Sequence, residues 1–90
     1  MNLNFEYYKV FYYVCKYGSL TRAASVLMTS QPAVTRTIHN LENEIGCRLF
    51  IRSKKGVELT PEGRVFYDYI SAACVQIFKG ENELANRISM

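Results

Sequence analysis

Hydrophobic positions between Gly18 and Phe50 fall into two helical sets with a few polar residues between them. Leu20, Ala23, Ala24 and Leu27 keep the spacing of a buried helix face, and Val34, Ile38, Leu41 and Ile45 repeat it one segment later. Only Met28-Thr29-Ser30 mark the break. So short a connection forces the second helix across the first at a steep angle and leaves its opposite face outward. That pattern is the signature of a helix-turn-helix, whose second helix probes DNA.

The flanking pattern completes a fold. A first helix is predicted over Phe5 to Tyr17, with Tyr7, Phe11 and Val14 on one apolar flank and Tyr8, Tyr12 and Cys15 on the other. Glu6, Lys9, Lys16 and Tyr13 form the stripe between, so this helix must pack on two sides: against the core, and against either the C-terminal helix or another subunit. Its aromatic residues read as packing groups rather than base-stacking platforms. Gly18 stops it and Ser19 caps a helix from Leu20 to about Leu27. Ser30 caps the next helix, with Pro32 tolerated in its first turn. After Gly46 the period becomes extended: Leu49-Phe50-Ile51-Arg52 and Val57-Glu58-Leu59-Thr60 flank a basic tip, Ser53-Lys54-Lys55-Gly56, as in a hairpin.

Thr60-Pro61-Glu62-Gly63 opens a last helix that runs to about Ile88, roughly 42 Å at 1.5 Å per residue. The core beside it is too small to cover that length. Phe66, Ile70, Ala73, Ile77 and Leu84 keep a three-four spacing, a seam suited to a twin helix, with Tyr69 beside it and Gly80 weakening it by about 1 kcal/mol relative to alanine. The expected fold is therefore mainly α: a winged helix-turn-helix with a three-helix core and a two-stranded β wing, followed by a long C-terminal helix. Residues 1–60 form the first unit, with the helix-turn-helix at about 20–39 and the wing at about 49–60, and residues 61–90 form the dimerisation helix.

Ninety residues with 49% hydrophobic content suit one small core. Val10 to Cys15, the longest apolar run, is far short of a membrane span, and no signal-peptide pattern opens the chain, so a cytoplasmic, nucleoid-associated location is expected. Cys15, Cys47 and Cys74 are odd in number and widely spaced, which argues for free thiols over a disulfide framework or a metal site. Cys47 has a basic sequence neighbour, Arg48, able to lower a thiol pKa. Net charge is a modest +3 but uneven. Lys16, Arg22, Arg36, Arg48, Arg52, Lys54 and Lys55 stand against two acids, Glu42 and Glu44, whereas the stretch from Glu58 onward is acidic on balance. Positive charge thus gathers on the helix-turn-helix and the hairpin after it, as a polyanion-binding surface requires.

The exposed face of the second motif helix carries the candidate chemistry. Arg36 can bind guanine or clamp a phosphate, Gln31 can read adenine, and Pro32 and Ala33 can meet a thymine methyl, with Thr35 supplying a hydroxyl. His39, the single histidine, faces phosphate, a base edge or water; without ligand partners at suitable spacing it makes a poor metal site. Thr21 and Arg22 in the first turn of the preceding helix can meet phosphate. Arg52, Ser53, Lys54 and Lys55 on the wing can neutralise the backbone or enter the minor groove, which contributes affinity more than sequence choice. Glu42 and Glu44 read as helix solubilisers, Glu42 with the option of pairing to a basic residue of the hairpin. Ala23 and Ala24 are small so that the two motif helices can approach.

Gly18-Ser19, Ala23-Ala24, Leu27, Ser30-Gln31-Pro32-Ala33, Leu41-Glu42, Ile45-Gly46, Leu49-Phe50, Arg52, Leu59-Thr60 and Gly63 together resemble the N-terminal domain of LysR-type transcriptional regulators. The resemblance covers residues 3 to about 88. It implies a homodimer on an interrupted inverted repeat of promoter DNA, with the last helix as a linker to an effector-binding domain. That domain is expected to be absent here, so no inducer site, cofactor or metal is expected, and a small-molecule effector would act only through it. By position, Gln31, Pro32, Ala33, Thr35 and Arg36 match the family's recognition helix and Arg52 to Lys55 its wing. Thr35 stands where serine is usual, which keeps a hydroxyl. Thr37 stands where glutamine is common, so a contact by that longer side chain does not carry over.

Two other classes compete. A winged-helix protein-interaction module without DNA binding is motivated by the aromatic first helix and the long last one. An enzyme is disfavoured by the lack of a Ser-His-Asp set, a phosphate-binding glycine loop and metal spacing.

Overall fold

Capping chemistry sets the helix limits in the computed structural model, which describes residues 5–54 and 56–88. Helix α1 spans Phe5–Tyr17, α2 Leu20–Val26 and α3 Gln31–Ile45; strands β1 (Phe50–Ser53) and β2 (Gly56–Leu59) come next, and α4 spans Pro61–Ile88. Ser19 Oγ accepts from the Arg22 amide at 3.1 Å, and Ser30 Oγ accepts from the Ala33 amide at 3.2 Å. Each serine thereby satisfies a donor that the first helical turn leaves without a partner. Thr60 acts twice: its Oγ1 accepts from the Gly63 amide at 2.9 Å and donates to the Arg48 carbonyl at 2.7 Å, fixing the start of α4 to the approach to the wing.

The turn between α2 and α3 closes as a Schellman motif. The Thr29 amide donates to the Ala24 carbonyl and the Met28 amide to that of Ser25. Met28 occupies the left-handed position with φ 58°, a conformation that usually selects glycine, and its side chain is 92% exposed.

Phe11, Val14, Ala23, Ala24, Val34, Ile38, Leu41, Leu49 and Phe50 form one core cluster among α1, α2, α3 and the start of β1. Phe11 is fully buried, with its ring centroid 5.3 Å from both Phe50 and Phe66. Truncating such a side chain to alanine typically costs about 3–5 kcal/mol. The second flank of α1 is covered by α4: Tyr8 meets Phe66 edge-on, and Tyr12 packs against Tyr67 and Phe78. Of the two possible partners for that flank, the chain's own last helix takes the place.

β1 and β2 pair antiparallel with Phe50 opposite Leu59 and Ser53 opposite Gly56. The tip is thus shorter than the sequence pattern suggests, because Ser53 and Gly56 belong to the ladder. Leu49 precedes β1 and is buried in the core. Gly56 has φ +123°, and a Cβ there would stand 2.8 Å from the Gly18 carbonyl oxygen, so the wing rests on the corner between α1 and α2. At Gly63 a Cβ would collide with the Leu49 carbonyl oxygen, which is how α4 approaches the strand entry so closely.

Glu42 is not the solubiliser that its sequence position suggests. It is buried, and its Oε2 accepts from the amides of Leu49 at 2.7 Å and Phe50 at 3.2 Å, with Arg48 Nε at 3.8 Å. Two backbone donors that enter the wing would otherwise be buried without partners. Its ion-pair partner is Arg48, just before the hairpin, and not one of the hairpin's own basic residues.

Candidate nucleic-acid interface

α3 presents its polar face because its apolar face is committed to the core: Val34, Ile38 and Leu41 are buried, while Gln31, Pro32, Arg36 and His39 are exposed. Ala33 and Thr35 are half-buried at the two edges of that face. Ala33 borders a groove shared with Tyr7, Lys9 and Val10 of α1, so only part of its surface faces outward. Thr35 lies on the wing side, where Arg52 Nη2 donates to its Oγ1 at 3.4 Å. His39 and Asn43 continue the exposed face toward Arg48.

A cleft lined by Ser19, Thr21, Gln31, Arg52 and Ser53 brings the first turn of α2, the first residue of α3 and the wing to one surface. Thr21, Arg22, Arg52, Ser53 and Lys54 are all exposed. Lys55 lies outside the described residues. The guanidinium of Arg22 stands 5.4 Å from the centroid of the Tyr17 ring, a cation–π distance. Thr21, Gln31, Thr35, Arg52 and Ser53 are thus brought together from α2, α3 and β1, while Ala33 borders the groove toward α1.

Two participants are not apparent from the sequence pattern alone. Helical spacing places Tyr17 only at the end of α1 and reveals nothing of a ring that turns toward Arg22. Glu42 has a legible signal: it is four residues beyond Ile38 and three before Ile45, on the buried line of α3.

The six residues expected along a helix seam divide into two groups. Phe66 and Ile70 pack on the domain's own core, whereas Tyr69 (75%), Ile77 (41%) and Leu84 (60%) are exposed, as is Ala73. Val65 and Ile88 add further exposed apolar surface to α4.

The thiols are free; Cys74 is buried, and Cys15 and Cys47 are half-buried. Burial pushes the Cys15 thiol up to about 12 against the lowering influence of Arg64, and raises that of Cys74 against Lys9. Among the described residues no cluster of three His, Cys, Asp or Glu is placed to hold a metal, and no helix is long and apolar enough to cross a membrane.

Three core helices, an outward α3 and a two-stranded hairpin beside it define a winged helix-turn-helix domain. Residues 5–64 match the model of the bacterial regulatory helix-turn-helix protein, lysR family, and the chain belongs to that family. It is 40% identical over 70 residues to the nitrogen assimilation regulatory protein nac of Escherichia coli, covering 78% of this chain and 23% of that protein. It is 36% identical over 88 residues to the HTH-type transcriptional regulator BbuR of Bordetella bronchiseptica, covering 98% and 27%. Among solved structures, the DNA-binding domain of BenM, a regulator of Acinetobacter baylyi, in complex with catB site 1 DNA superposes with a TM-score of 0.83 at 32% identity, with 97% of each chain covered. The chain spans about a quarter of the length of the curated relatives it matches.

Proposed function

We propose that this chain is the DNA-binding part of a transcriptional regulator that reads an interrupted inverted repeat in promoter DNA as a homodimer. The observation that carries the reading is the exposed polar face of α3, with Arg52 along one edge and the first turn of α2 beside its N-terminal residue Gln31. In the major groove, Gln31, Pro32, Ala33, Thr35, Arg36 and His39 would meet base edges, each good bidentate contact contributing about 1 to 3 kcal/mol of discrimination. Thr21, Arg22, Arg52, Ser53, Lys54 and Lys55 would meet phosphate and set the register. The likeness to a DNA-bound domain at 32% identity supports this assignment.

Dimerisation belongs to α4, through Tyr69, Ala73, Ile77 and Leu84, with Phe66 and Ile70 serving the domain core beneath them. The part is a binding module and not an enzyme, and it acts in the cytoplasm at the nucleoid. Small-molecule control would come from a separate effector-binding domain. The competing protein-interaction reading loses much of its motive, because the aromatic flank of α1 is already covered by α4.

Selection of the purified chain from a randomised duplex pool at about 0.15 M salt tests the proposal, since that salt screens weak contacts without abolishing a specific complex. Recovery of an interrupted inverted repeat is expected. A folded sample that enriches no sequence would refute autonomous, sequence-specific binding.

A further inference from the structure

An aromatic ladder climbs from the middle of α4 to the edge of the basic surface. Phe78 lies 6.4 Å from Tyr13 at 28°, and Tyr13 stacks on Tyr17 at 6.2 Å and 9°. The ladder ends at Tyr17, over whose ring the Arg22 guanidinium carbon stands 5.4 Å from the centroid. Lys16 Nζ stands 5.8 Å from the same ring and 5.8 Å from Tyr12. Arg22 has no carboxylate in the ion pairs of the described residues, and its backbone is fixed by the Ser19 cap.

We propose that Tyr17 is a positioning residue for DNA binding: its ring holds the Arg22 guanidinium ready for a backbone phosphate. An exposed arginine otherwise loses rotamer freedom when it binds, and a ring that already restricts it lowers that loss. A guanidinium held by cation–π attraction to a ring makes no hydrogen bond to it, so its N–H donors stay available for phosphate oxygens. Tyr17 is itself immobilised by Tyr13, so the restraint reaches back into the packed α1–α4 interface.

This inference rests on the DNA-binding reading, and its test separates the two. Affinity for a mixed-sequence DNA duplex is measured across a salt series for the parent chain, Tyr17→Leu, Tyr17→Phe, Arg22→Ala and the Tyr17→Leu/Arg22→Ala pair, each with its circular dichroism spectrum to verify folding. Tyr17→Leu is expected to weaken binding about two- to fivefold per protomer, the scale of an exposed cation–π contact. Tyr17→Phe, which keeps the ring, is expected to bind as the parent does. Arg22→Ala should lower the slope of log affinity against log salt by about 0.9 per phosphate contact. In the Arg22→Ala background the Tyr17→Leu loss should vanish, a coupling that a purely structural role for Tyr17 would not produce. An equal Tyr17→Leu loss in both backgrounds, tighter binding by Tyr17→Leu, a Tyr17→Phe as weak as Tyr17→Leu, or an unchanged salt slope in Arg22→Ala each overturns the inference. A parent chain that binds no duplex even at low salt overturns the DNA reading beneath it.

Discussion

Met28 holds a left-handed backbone with nothing around its side chain in return. For an L-residue with a Cβ that conformation costs roughly 1–2 kcal/mol, and glycine is free of most of it. Met28→Gly is therefore expected to raise stability by up to about 1 kcal/mol after the larger entropy of the unfolded glycine is subtracted, read as a higher denaturant midpoint with an unchanged slope. Cys15 makes a different prediction. Its folded pKa lies above the unfolded value of 9.0, so its contribution to stability is complete below pH 9 and declines as pH rises toward 12. Cys15→Ser should remove that share of the alkaline loss, checked by urea melts at pH 8 and pH 10. The backbone of Met28 is not visible in the sequence, since a methionine carries no backbone signature; the packing of Cys15 is foreshadowed by its place on the second apolar flank of α1, but how far its thiol shifts depends on how α4 crosses α1.

At the scale of elements, periodicity and caps are the legible signals. The limits of α1, α3 and α4 come from Gly18, Ser30, Gly46 and Thr60: the first three solve local hydrogen-bonding or steric problems, and Thr60 caps α4 while also tying it to Arg48. The wing is legible as a hairpin but not in its register, because the pairing of Ser53 with Gly56 depends on how closely Gly56 can approach Gly18. The position of Glu42 on the buried line of α3 is legible but its residue type misleads, because a carboxylate on a helix is ordinarily solvated and its partners, the amides of Leu49 and Phe50, come from a non-helical segment. Glu42→Ala leaves both buried donors without an acceptor and is expected to lower stability by about 2–4 kcal/mol, measurable by chemical denaturation. Gly80→Ala should act in the opposite sense. Nothing stands within 4 Å of the added methyl, and helix propensity favours alanine by about 1 kcal/mol, so helical signal at 222 nm should rise.

The whole molecule is elongated, 47 × 26 × 21 Å, because α4 extends past the body it packs on. Ile77 faces outward in the single chain, so Ile77→Asp is expected to leave the fold intact and to yield monomers in light scattering. A dimer that persists would move the interface away from this stripe. Phe66 is unsuitable for the same experiment, since its ring also packs on Tyr8 and Phe11 and its loss would confuse assembly with folding. Phe78 provides the last aromatic contact between α4 and the body, and every described position beyond it is exposed. A helical segment of that length is marginal in water when nothing packs against it. In the dimer proposed above, ordering of the last turns and pairing of two chains would be one linked equilibrium, with part of the association free energy absorbed by coil becoming helix. Helicity consequently becomes a function of protein concentration: dilution should unwind the end of α4 before it disturbs the domain, and DNA that holds two chains together should wind it again.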